Sequence, residues 1–170
     1  MTTTIVNIRA ERAADVREIH ALHRAAFGGA TEADLVDALR SEGSVVLSLV
    51  AEEDERIVGH VLYSRLAIEV GAALVPALAL APLAVTPTRQ RNDIGTRLVQ
   101  EAHRQLTAKA EEMVFVVGDP GYYDRFGFSS AAALPFETPY DGAYVMALAL
   151  NPSGTKSGAV RYPAPFAHLG

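Results

Sequence analysis

The sequence predicts an α/β domain, and three observations carry that expectation. Stretches of strand character alternate with stretches of helical spacing along 170 residues of even composition. Between residues 73 and 117 an apolar strand, an amphipathic helix and a second apolar strand follow one another. Such a βαβ unit makes its two strands parallel. Apolar residues make up 49% of the chain, enough for a full core at this length without staples.

The elements follow in order. TIVNIRA (4–10) alternates like an edge or half-buried strand. ERAADVREIHALHRAAF (11–27) is an amphipathic helix, with Val16, Ile19, His23, Ala26 and Phe27 at helical spacing and Gly28 and Gly29 as its stop. Thr31 with Asp34 reads as a capping-box-like start for a second helix, closed by Gly43. Residues 44–54 and 56–70 form two strands around a tight turn at Asp54 and Glu55. ALVPALALAPLAV (73–85) is apolar on both faces, as a central strand would be. The helix 94–110 carries the stripe Ile94, Leu98, Ala102, Leu106. EEMVFVVG (111–118) is a buried strand, GDPGYYDRFGF (118–128) a turn or short helix ending at Gly127, and 140–150 a last strand. One domain spans 1–150. The Gly- and Pro-rich tail 151–170 is expected to pack on it as an extension.

Composition excludes several classes. There is no cysteine, hence no disulfide, thiolate zinc site or cysteine nucleophile, which fits a reducing compartment. No signal-peptide pattern opens the chain, and the longest apolar run is too short for a membrane span. A soluble cytoplasmic protein is expected. A net charge of −5 disfavours nucleic acid as a partner. His20 and His23 share no face with obvious acids, so no metal site is expected. Glu52 and Glu53, at a strand end, read as solvated.

TRQRNDIGTRLV (88–99) has the outline of a phosphate loop: a strand enters, basic and amide side chains fill it, and a helix leaves. A helix N-terminus offers orphan N–H groups and a positive dipole end. Arg89, Arg91 and Arg97 can add charge-assisted bonds. Asp93 works against an anion, by its charge and as an N-cap that would occupy the same N–H groups.

Together APLAVTPTRQRNDIGTRLV (81–99), GDPGYYDRFGF (118–128) and GAVRYPAPFA (158–167) resemble the GNAT family of acyl-CoA N-acyltransferases, in particular its YhbS-like group. The likeness covers nearly the whole chain. It implies a mixed central sheet of about six to seven strands flanked by helices, with a splayed parallel strand pair. It implies acetyl-CoA as cosubstrate and an N-acetyl transfer to a primary amine of a small molecule or peptide. The family's loop pattern Q/R-x-x-G-x-G/A falls on Gln90, Arg91, Asn92, Asp93, Ile94 and Gly95, so aspartate stands where the first glycine belongs. Thr96 follows in the same binding turn. By the same likeness, the main chain of Leu83, Ala84 and Val85 pairs with the pantetheine arm, and one N–H polarises the thioester carbonyl. Tyr123, four residues before Gly127, takes the place of the general acid. A phenol and a thiol have similar reference pKa values, so one can pass its proton to the other. Tyr122 packs against the coenzyme or the core. Asp119 is a turn or cap residue, or a group near the sulfur. His60 is a candidate base, as neutral imidazole suits that task. Homodimers are common in the family, and the apolar tail with Tyr162 and Phe166 offers a surface for one. With Asp93 in the loop, the alternative is a non-catalytic acyl-CoA-binding or protein-interaction module.

Overall fold

The computed structural model describes residues 5–140 and 142–168. Its strands are β1 (Asn7–Ala10), β2 (Val45–Glu53), β3 (Arg56–Val70), β4 (Ala73–Val85), β5 (Met113–Val117), β6 (Phe136–Glu137), β7 (Val145–Ala149) and β8 (Gly158–Arg161). Its helices are α1 (Val16–Phe27), α2 (Thr31–Glu42), α3 (Ile94–Ala108), α4 (Pro120–Tyr123) and α5 (Ser130–Ala133). One mixed sheet runs β1-β2-β3-β4-β5-β7, with β8 beside β3 and β6 beside β8. The sheet has eight strands rather than six or seven, because the short β6 and β8 join it.

The β4–α3–β5 unit is parallel, as its length requires. Its two strands pair at Leu78 with Val114 and Ala79 with Phe115, and then part. β4 continues to Val85 alongside β3, while β5 follows β7 to Val117. That divergence is the splay.

Alternation along the strands builds two core layers. On one face Leu62, Leu66, Ala77, Ala79 and Phe115 meet Ile19, Leu22, Leu35 and Leu39 of α1 and α2. On the other, Val61, Tyr63, Leu78, Leu80 and Val114 meet Ile94, Leu98, Ala102 and Leu106 of α3, the stripe legible in the sequence. The turn between β2 and β3 has positive φ at both Asp54 (51°) and Glu55 (63°), the twist that a two-residue hairpin needs. α2 begins one residue away from the expectation: Ala30 holds the N-cap and Thr31 is already helical, with no side-chain cap bond.

Gly59 lets α3 approach the sheet. A Cβ there would stand 2.9 Å from Leu98 Cδ1 and 3.0 Å from Ile94 Cγ2. Gly59→Val is expected to lose about 1–3 kcal/mol by overpacking, read from urea denaturation midpoints at constant m-value.

The tail is part of the sheet. β8 pairs with β3 from Ala67 to Glu69, just where β2 has ended. Phe166 is buried in the α1–α2 layer, and the Tyr162 ring lies 5.2 Å from it. Both aromatics pack within the chain, and both also line a hollow at its surface.

Candidate active site

Three pieces of chain meet at the C-terminal end of β4. The first is the strand. The main chain of Leu83, Ala84 and Val85 bonds to β3 on one side and faces the splay on the other. The Gln90 side chain donates to Val85 O at 3.0 Å, tying the loop back to the strand.

The second is the loop. Asp93 sits at the N-cap of α3 with φ 59°, the left-handed conformation that glycine adopts most easily and aspartate tolerates. Its side chain makes no capping bond. The first-turn N–H groups at residues 94–96 are therefore left open. The cap rivalry expected from the sequence does not arise: with φ positive, Asp93 leaves the extended conformation from which a side chain reaches back to the turn.

The third is α4 with the turn behind it. Asp119 accepts from Gly121 N at 3.0 Å and caps α4. The Tyr123 ring lies against the backbone of Gly118, where a Cβ would stand 2.5 Å from its Cε2. A Cβ on Gly95 would stand 2.8 Å from Tyr122 Oη. The Arg125 guanidinium lies 4.4 Å above the Tyr122 ring, its Nε donating to Tyr122 O at 2.9 Å. Its Nη1 is 3.5 Å from Thr96 Oγ1.

Between these pieces is a cavity of about 360 Å³. Leu83 and Val85 form its strand wall, Arg89, Gln90, Arg91 and Asp93 its loop wall, and Ile94, Gly95, Thr96, Tyr122 and Arg125 the rest. Asn92 turns to Arg89 O at 3.3 Å and is not among the lining residues. Burial pushes the Tyr123 phenol well above the ordinary tyrosine range, and Tyr122 adds to the effect. Burial raises Tyr122 as well. Two larger hollows, about 670 and 700 Å³, share Glu137, Thr138 and Tyr140. Tyr140 packs on the α1–α2 layer, which places both on that face of the sheet.

The family model of the acetyltransferase (GNAT) domain matches residues 7–131. The chain belongs to the GNAT acetyltransferase family. The N-acetyltransferase YhbS of Escherichia coli strain K12 is 36% identical over 126 residues, 74% of each chain. YjhQ of the same organism is 38% identical over 123 residues, which are 71% of this chain and 66%, just under two thirds, of that relative's length. Among solved structures, E. coli YhbS with CoA superposes with a TM-score of 0.91 at 30% identity, covering 100% of this chain and 96% of that one. A GNAT acetyltransferase of Brucella melitensis with acetyl-CoA gives 0.80 at 36% identity, covering 95% and 98%.

The GNAT loop of this chain has a different cation set from the one its sequence suggests. Arg89 is bound to Glu53 through Nε (2.8 Å) and Nη2. Arg97 Nη2 donates to Val6 O at 3.0 Å and lines a separate hollow with Glu101 and Arg104. Arg89 lines the cavity from within its ion pair, Arg91 stands beside it, and Arg125 joins them. The signal for Arg125 was the arginine inside GDPGYYDRFGF. The carboxylates read as solvated are paired: Glu53 with Arg89, and Glu52 with Arg9 at 2.8 Å. The pairing of β1 with β2 brings Arg9 to Glu52, and the 3-10 turn after β4 brings Arg89 to Glu53.

His60 is buried in the GNAT core on the α1–α2 face, beside Ala84 in register. Its Nδ1 is 2.7 Å from His23 Nε2 and its Nε2 is 2.8 Å from Ser48 Oγ. With both nitrogens engaged, it reaches a substrate only through a partner. His20 Nδ1 lies 2.9 Å from Asp37 Oδ2, and Asp34 is close by. The acids thus come from α2, across the helix pair, which spacing on α1 alone does not reveal. Among the described residues no helix is long and apolar enough to cross a membrane.

Proposed function

We propose that this protein transfers an acetyl group from acetyl-CoA to a primary amine by direct attack, with Tyr123 as the general acid. One observation carries the reading: the open first turn of α3, the free edge of β4 and Tyr122 share one cavity, and the Tyr123 ring stands directly behind Tyr122, their centroids 5.0 Å apart. The cavity suits the coenzyme. The amides after Asp93, with Arg91 and Arg125 beside them, form a seat for a diphosphate. The free edge of Leu83–Val85 can take an extended arm as an added strand, and an N–H there can polarise a thioester carbonyl. The solved structures of relatives with CoA and acetyl-CoA support the coenzyme as the ligand.

Tyr123 stays protonated because burial disfavours its anion, so it has a proton to give to a departing thiolate. Asp119 is spent as the cap of α4 and positions Tyr123 through that helix. The acceptor approaches from the α1–α2 face, where the two large hollows lie. The absence of cysteine supports a cytoplasmic setting. The test is thiol release from acetyl-CoA with phenethylamine, lysine, spermidine and an alanyl peptide amide. Release with at least one amine, with the N-acetylated product seen by mass spectrometry, is expected. CoA binding without turnover of any amine would favour the non-catalytic module that Asp93 suggests.

Asp93 weakens the site without closing it. A rim carboxylate near a diphosphate is screened by solvent and offset by Arg91 and Arg125. Asp93→Gly is expected to tighten CoA binding by up to about tenfold in calorimetry, and to relax the backbone strain at φ 59°. An unchanged affinity would place Asp93 away from the phosphates.

A further inference from the structure

The two hollows on the α1–α2 face adjoin, because Glu137, Thr138 and Tyr140 line both. They form one trough. The loop that divides it is tied by its own hydroxyl. Thr138 Oγ1 donates to Tyr140 O at 2.6 Å and accepts from Tyr140 N at 3.2 Å, which sets the Tyr140 ring just after β6. β8, paired with β6 at Glu137 and Ala159, supplies the wall beyond it.

The larger hollow, of about 700 Å³, borders the splay. Val145 lines it and is the register partner of Val117, the last residue of β5, past the point where β5 has left β4. The carbonyl of Tyr144, one residue earlier, accepts from Gly118 N at 3.0 Å, and Gly118 is the seat of the Tyr123 ring. Tyr123 packs on the α3 layer, whereas Val145 belongs to the α1–α2 layer. A thioester held in the splay thus has the coenzyme cavity on one face and this hollow on the other.

The trough has a definite charge preference. Among the described residues, two charged side chains line it, Glu137 and Arg161. Arg161 is already engaged, donating to Glu69 Oε2 through Nε at 2.9 Å and Nη2 at 2.5 Å. Glu69 first, and Glu137 after it, raise the Arg161 guanidinium above its ordinary value, so two carboxylates face one cation. Glu137 is exposed at the ridge between the hollows. The walls around it are aromatic. The Tyr140 and Tyr162 rings stand 5.1 Å apart at 86°, and Tyr162 and Phe166 stand 5.2 Å apart at 66°. Electron-rich ring faces beside a carboxylate attract an ammonium group. An acceptor carrying a carboxylate would instead meet Glu137 with the neighbouring guanidinium occupied.

We infer that the acceptor is a diamine or polyamine, whose far ammonium is held by Glu137 and the rings of Tyr140 and Tyr162. Its near amine enters the splay as the free base. The inference rests on the acetyl-transfer reading and names the substrate class of that same site. The near nitrogen forms a bond to the acetyl carbon, and the carbon–sulfur bond breaks with its electron pair going to sulfur. Tyr123 gives its proton to the sulfur. The surplus proton on nitrogen goes to water, and water returns one to Tyr123. The far ammonium takes no part in the chemistry, so Glu137, Tyr140 and Tyr162 determine specificity rather than catalyse.

Two measurements on the full chain separate the fate of this inference from that of the transfer reading. The first needs no turnover: calorimetry of spermidine added to protein saturated with CoA, at fixed ionic strength. Spermidine is expected to bind, and Glu137→Gln to weaken it about 5-fold. Tyr140→Leu is expected to weaken it to a similar degree, whereas Tyr140→Phe, which keeps the ring, retains the affinity. Absence of binding, or equal affinity in wild type and Glu137→Gln, overturns the inference whatever the enzyme acetylates. The second is thiol release from acetyl-CoA with putrescine against butylamine and hexamethylenediamine against hexylamine. The ratio of kcat/KM for a diamine over its monoamine is expected to fall about 5-fold in Glu137→Gln for at least one pair. The free-base content of each compound is the same in both proteins, so the change in ratio reports the trough alone. An unchanged ratio in both pairs overturns the inference. The transfer reading instead falls if no amine is acetylated, and the calorimetry still decides whether the trough holds a polyamine.

Discussion

Replacing Tyr123 with phenylalanine is expected to lower kcat for acetyl transfer by about 10²-fold or more, the usual contribution of a positioned acid. The substitution isolates one atom. The ring keeps its seat on Gly118 and its edge contacts with Tyr122 (5.0 Å) and Phe128 (5.9 Å). Folding stability and the KM for acetyl-CoA are therefore expected to change little, so the loss falls on the chemical step. The pH dependence follows in sign. Burial raises the folded pKa of Tyr123, so the acid form is present from neutral pH through the range where a free tyrosine would ionise. The ratio of wild-type to variant rates is then the same at pH 7 and pH 9, read by thiol release with acetyl-CoA saturating. A variant with undiminished kcat would mean that the thiolate draws its proton elsewhere, and Tyr123 would be only a packing residue.

Gly95→Val is expected to weaken CoA binding about 100-fold, or about 2.7 kcal/mol, measured by calorimetry. Gly95 is in the first turn of α3, and its open face looks onto Tyr122 Oη, Val85 and Leu83. A branched side chain there fills part of the 360 Å³ cavity and covers the amides that a diphosphate would meet. Folding is expected to survive, since the clashing atom is the far end of the Tyr122 side chain, and since valine is no worse than glycine in a helix. Undiminished CoA affinity in a folded Gly95→Val protein would mean that the cavity is not the phosphate seat.

How far the sequence discloses this protein depends on the range of the interaction. The stripe Ile94, Leu98, Ala102, Leu106 states a helix and its buried face through local spacing, and all four side chains are in the core. The parallel strands of the βαβ unit follow from its length, and the Asp54–Glu55 turn from two flanking apolar runs. What escaped was partnership across distance. Arg89 and Glu53 are 36 residues apart, and only the register of β2 on β3 and β4 brings them together. The packing of α1 on β3 joins His23 to His60, 37 residues apart, and gives two ordinary histidines a shared environment. The left-handed backbone at Asp93 was also hidden, because an aspartate before a helix ordinarily reads as a cap. Arg125 stands in plain view inside GDPGYYDRFGF, but only the fold of that turn onto α3 shows that its charge faces the cavity.

The strand made by the tail has a practical consequence for anyone trimming this protein. Cutting after residue 150 would remove β8 and strip β3 of its neighbour over Ala67–Glu69, together with the Phe166 plug. The shortened chain would present bare main-chain donors and acceptors along its longest strand, an invitation to foreign strands and to precipitation. Solubility would fail before catalysis could be assayed.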